Sequence, residues 1–145
     1  MSLADAPVTQ TGFLVTHFLT VRDLARSKAF YAGALRGKVV TPDAPCYSKL
    51  ANSWLILNFG GGPTPDKPEV ILEPPSDPKR ANSFLNLRVA ACYKEWKAKG
   101  AHFLTEPLDN HGHEWRCYMR DPDGYIIEVG QYTQKAIDAF AAYGA

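Results

Sequence analysis

Arg120-Asp121-Pro122-Asp123-Gly124-Tyr125-Ile126-Ile127-Glu128 is the stretch whose reading settles the architecture. It joins two segments that alternate as strands, 114–120 and 125–131. Alternation sets Glu128 on the same strand face as Ile126 and Gly130. A carboxylate among Ile126, Ile127 and Val129 is costly to bury alone, so a metal or a cationic partner is expected against it. Arg88, Arg116 and Arg120 are the candidate cations.

Outward from this stretch, the chain repeats one order of elements. Residues 84–89 alternate as a strand, 90–99 read as a short helix ended by Gly100, and 101–105 supply a strand before the pair already described. The N-terminal half runs the same way. A strand over 13–21 precedes a helix that Asp23 can cap, with Leu24, Phe30, Tyr31, Ala34 and Leu35 at helical spacing and Gly37 at its end. Short strands follow over 38–41, 46–50 and 53–59. Between the halves, residues 60–79 hold six prolines and read as a stiff connector, with 70–72 as a candidate edge strand. A last helix over 133–143 places Ala136, Ile137, Phe140 and Ala141 on one face, suited to cover a sheet or a partner subunit.

The fold class expected is therefore α+β. Two βαβββ modules, 12–60 and 82–131, form cupped mixed β-sheets with helices outside, joined by a linker over 61–81 into one domain over 12–131. One such sheet leaves a face uncovered, and two can close a shared concavity.

The 145 residues carry sixteen Lys and Arg against fifteen Asp and Glu, a net charge of +1 without a run of like charges, which argues against a nucleic-acid partner. No apolar run has the length of a membrane span, and residues 1–10 lack the basic start and apolar centre of a signal peptide. Cys46, Cys92 and Cys117 are odd in number and scattered, which fits buried small hydrophobes in a reducing compartment. A cytoplasmic protein is expected.

Two motifs carry a resemblance. Thr16-His17-Phe18-Leu19-Thr20-Val21-Arg22-Asp23-Leu24-Ala25-Arg26-Ser27 with Phe30-Tyr31, and the Asp-Pro-Asp-Gly-Tyr-x-x-Glu element ending at Glu128, resemble the vicinal oxygen chelate superfamily. That group includes glyoxalase I, bleomycin-resistance and fosfomycin-resistance proteins and extradiol dioxygenases. The resemblance implies a divalent metal (zinc, nickel, manganese or iron) held by His and Glu from the first and last strand of each module, acting as a Lewis acid on two vicinal substrate oxygens. It also implies a homodimer, since modules in this family often pair between chains.

Carried over residue by residue, the resemblance sets Glu128 at the final metal-ligand position, as catalytic residue and ligand. His17 is the second candidate ligand. Alternation turns His17 toward the helix with Val15, Leu19 and Val21, and a one-residue shift near Arg22 would turn it into the cup. The other two ligand positions depart from the pattern, with Phe84, Asn86 and Arg88 at one and Leu57 or Asn58 at the other. A catalytic metal site usually has three protein ligands and an open position, so glyoxalase I chemistry is not assured. The cup itself is expected to bind ligand through Thr16, Phe18, Asn58, Asn86, Arg88, Arg116 and Tyr118, with Trp54 and Phe59 as apolar walls. Arg116, Tyr118 and Arg120 alternate on one strand face, a row suited to a carboxylate or phosphonate. His111 and His113 lie in a loop and read as solvated.

Two functions follow. One is a metal-dependent lyase or isomerase acting on a small oxygenated or glutathione-conjugated metabolite, similar to lactoylglutathione lyase. The alternative is a metal-free protein that binds or sequesters a small molecule, similar to bleomycin-resistance proteins. Behind both stands chemistry like that of an extradiol dioxygenase.

Overall fold

Thr16–Val21 forms strand β1, and the chain then turns at Asp23, whose Oδ1 accepts the Arg26 N–H at 3.0 Å and so caps helix α1 (Leu24–Lys28). The computed structural model describes residues 7–143; residues 1–6, within the segment read for a signal peptide, and 144–145 lie outside it. α1 continues as a π-helical turn over Ala29–Ala34, in which the Leu35 N–H donates to the Phe30 carbonyl. The helix thus ends before Gly37. Strands β2 (Lys38–Val39), β3 (Cys46–Leu50) and β4 (Ser53–Phe59) complete the first sheet, in the order β1-β4-β3-β2 with β1 parallel to β4.

Register assigns the two faces of this sheet. His17, Leu19 and Val21 align with Leu55, Leu57 and Phe59, and Leu57 and Leu55 with Cys46 and Ser48. α1 packs on β4 and the π turn on β3, and Leu19, Val21, Cys46, Ser48, Leu55 and Leu57 are buried together with Tyr31 and Ala34. Thr16, Phe18, Thr20, Trp54, Ile56 and Asn58 lie on the other face. The connector beyond β4 forms two isolated bridges, Thr64 to Lys67 and Gly61 to Leu72, the second where the sequence suggested an edge strand over 70–72.

The chain divides into two compact units between Ser76 and Asp77. In the second, strands β5 (Leu85–Arg88), β6 (His102–Phe103), β8 (Glu114–Arg120) and β9 (Ile126–Tyr132) are ordered β5-β9-β8-β6, with β5 parallel to β9. This matches the first sheet strand for strand, which is the repeat the alternation predicts. Helix α2 (Tyr93–Ala98) starts three residues later than expected because Val89 still donates to the Gly130 carbonyl before the chain turns. An unpredicted strand, β7 (Leu108–Asn110), pairs with the outer edge of β8. The buried face carries Cys117, Met119, Ile127 and Val129, and Trp96 of α2 is buried as well.

Helix α3 (Gln134–Ala141) is capped by Thr133, whose Oγ1 also donates to the Gly112 carbonyl at 2.8 Å and so fastens the helix start to the β7–β8 turn. Only Ala136 of its apolar face is buried; Ile137 and Phe140 stay half exposed. Among the described residues, no helix is long and apolar enough to cross a membrane.

Candidate functional site

Glu128 stands mid-strand in β9, flanked by Asn86 of β5 and Tyr118 of β8. Asn86 Nδ2 donates to its Oε1 at 2.9 Å, Tyr118 Oη to its Oε2 at 2.8 Å, and Arg88 Nη2 to Oε1 at 3.1 Å. A second buried carboxylate lies on the same face. Glu114, at the start of β8, accepts from Asn110 Nδ2 at 2.9 Å, from Arg116 Nη1 at 3.2 Å, and from Arg88 Nη1 in a short charged contact. One guanidinium therefore bridges two carboxylates from neighbouring strands.

Gly130 permits this bridge. It faces Arg88 across the β5–β9 ladder, and a Cβ there would collide with Arg88 Nη1 and sit 2.9 Å from Glu114 Oε2. Without a side chain, the strand lets the guanidinium lie across its backbone and reach β8. The Tyr132 ring, 4.7 Å from Arg88 Cζ, supports it from the side.

The group is neutral in sum and polarised in depth. The carboxylate side chains are 8% (Glu114) and 6% (Glu128) exposed, whereas Arg88 and Arg116 remain 36% and 35% exposed. Negative charge is held inside and positive charge faces outward. Burial, then the hydrogen bond to Glu128 and that carboxylate's charge, raises the Tyr118 phenol above its ordinary pKa. Such a surface suits a ligand with carboxylate, phosphonate or other anionic oxygen, which guanidinium binds with paired hydrogen bonds.

Asn86, Arg88, Arg116, Tyr118 and Glu128 are thus brought together on one face of the second sheet. Arg120, on the same face, is turned away from the group to donate to the Gly124 carbonyl at 3.2 Å. Thr16, Phe18 and Asn58 share one face of the first sheet, where Asn58 Oδ1 accepts the Phe59 N–H at 2.9 Å. Trp54 lies on that face, and Phe59 on the opposite one. His17 lies on the helix side, in an unbroken register from Thr16–Trp54 to Val21–Phe59, so the shift that would turn it over does not occur. Burial lowers its pKa. Glu114, Asn110 and Gly130 were not among the expected site residues. The parity of Glu114 with Arg116 and Tyr118 was the available signal, while Asn110 depends on the unpredicted strand β7.

No protein-family model matches the sequence. No curated protein matches it either. Solved structures do. A mutant of the fosfomycin resistance protein FosX from Listeria monocytogenes, complexed with Mn(II) and 1S,2S-dihydroxypropylphosphonic acid, is 16% identical over 87% of this chain and 96% of its own, with TM-score 0.63. A glyoxalase/bleomycin resistance protein/dioxygenase from Nocardioides is 17% identical over 88% and 87%, with TM-score 0.66. The chain has the vicinal oxygen chelate fold. An integron cassette protein from V. cholerae, 23% identical over 87% and 99% with TM-score 0.59, adds a further structure of similar fold.

The resemblance read from the sequence implies a divalent ion at Glu128, and the donors present can be tested against one. Asn86 Nδ2, Arg88 Nη2 and Tyr118 Oη all donate hydrogen bonds to Glu128, and a metal needs lone pairs in those places. Among the described residues, no group of three or more His, Cys, Asp and Glu could hold a metal ion. The donor set around Glu128 does not fit a divalent ion.

Proposed function

We propose that the protein is a metal-free binding protein for a small anionic or oxygen-rich molecule, received by the outward edges of Arg88 and Arg116 with Tyr118 and Asn86 beside them. The observation that carries this reading is that three donors occupy Glu128 while the Arg88 and Arg116 side chains stay about a third exposed. Glu128 and Glu114 hold the arginines in place, as a carboxylate orients a guanidinium by two-point contact. On the first sheet, Thr16, Phe18 and Asn58 are proposed as ligand contacts of that unit's own face. A cytoplasmic homodimer is part of the proposal. The Listeria FosX complex, whose organic ligand is a phosphonic acid, supports the choice of an oxyanion. It also favours a second reading, a metal-assisted lyase or isomerase with Glu128 on the ion, because that complex contains Mn(II).

Calorimetric titration of small carboxylates and phosphonates in the presence of EDTA tests the first reading. Binding should persist in chelator, and Arg116→Ala should weaken it by several fold or more, since a charged hydrogen bond contributes roughly 1.5–3 kcal/mol before solvent screening. Binding or turnover that vanishes with EDTA and returns with metal would establish the second reading in its place.

A further inference from the structure

We infer that Arg88 is the site's own cation, seated over Gly130 between Glu114 and Glu128, and that its presence is what keeps a divalent ion off this face. The inference deepens the metal-free reading and rests on it. Its ground is geometric. Nη1 and Nη2 of one guanidinium contact Glu114 Oε2 and Glu128 Oε1, so the two carboxylates lie within the span of a single cation. They are anions almost out of solvent, and their charge must be met locally.

A protonated guanidinium meets that need with a fixed fork and does not give up its proton in this setting. Gly130 is the complementary feature. The space over its backbone is filled by Arg88 and by no side chain of β9. Without the guanidinium, two carboxylates from adjacent strands would border an unfilled volume, with the amide oxygens of Asn86 and Asn110 available by rotation. That composition suits a hard divalent ion such as Mn(II), which binds carboxylate and carbonyl oxygen. Arg88 is accordingly a specificity-determining residue, because it makes the face a receptor for anionic oxygen.

Mn(II) alone is the probe, added to the full chain and followed by electron paramagnetic resonance of the free ion. Arg88→Gln removes the charge and keeps hydrogen bonding, and Arg88→Met keeps the length over Gly130; a dispersed amide spectrum shows which of them are folded. Either folded variant should take up one Mn(II) per chain at least tenfold more tightly than wild type, and its melting temperature should rise with Mn(II). Adding Glu114→Gln should abolish the gain. If neither the folded variants nor wild type takes up Mn(II), the inference is overturned and the metal-free ligand reading stands. If wild type itself takes up one Mn(II) per chain as tightly as the variants, both are overturned.

Discussion

Tyr118 reports on Glu128 without any ligand. Its phenol is held above the ordinary value by burial, by donation to Glu128 Oε2 at 2.8 Å and by that carboxylate's charge. A raised folded pKa keeps the proton in the folded state, so stability is intact below pH 10 and declines as pH rises through the folded value. In an ultraviolet titration Tyr118 should ionise late, and Glu128→Gln should move it earlier while the part due to burial remains. An unchanged titration in Glu128→Gln would contradict the contact. His17 has the opposite sign. Burial lowers its pKa, so stability is present above pH 6.5 and declines as pH falls through the folded value. Urea midpoints should drop between pH 7 and pH 5, and less so in His17→Gln; equal drops would place the titration elsewhere. The side on which His17 falls follows from strand parity alone and was legible in the sequence. The Arg88 bridge was not, because it needs the parallel register of β5 on β9 as well as the missing side chain at Gly130.

The Asp121-Pro122-Asp123-Gly124 motif forms the turn between β8 and β9. Asp121 Oδ1 accepts the Asp123 and Tyr125 N–H groups, both at 2.9 Å, and Gly124 takes φ +94°, where a side chain is strained. The motif is a hairpin device that sets Glu128 in register. Asp121→Ala should cost about 2 kcal/mol, the scale of leaving buried donors unmet, read as a lower denaturant midpoint; a change below about 0.5 kcal/mol would remove Asp121 from that role. Gly130→Ala tests the strand itself. It should displace Arg88, destabilise the fold and weaken anion binding in the wild type, yet have little further effect on binding once Arg88 is already Gln. Alternation made β4, β8 and β9 readable, whereas β7 escaped because Thr105-Glu106-Pro107 interrupts the edge that pairs with β8.

At the scale of the molecule, the two sheets share one strand order, so a repeat recognised from element order alone predicted the architecture of each. Exposed apolar side chains remain, among them Phe13 at 89% and Phe140 at 52%. They motivate the proposed homodimer, which light scattering should register as about twice the 16.0 kDa chain mass; a monomer at high concentration would oppose it. The charge pattern argued only against a nucleic-acid partner, and the alternation of Arg116 with Tyr118 already suggested an oxyanion; what the sequence did not show is that buried Glu114 and Glu128 hold Arg88 and Arg116. The most direct test of that account is an amide and guanidinium NMR titration of the full chain with methylphosphonate in EDTA. Saturable shifts centred on Asn86, Arg88, Arg116 and Tyr118 are expected. Shifts confined to residues 61–81 or to α3, with those four unmoved, would contradict it.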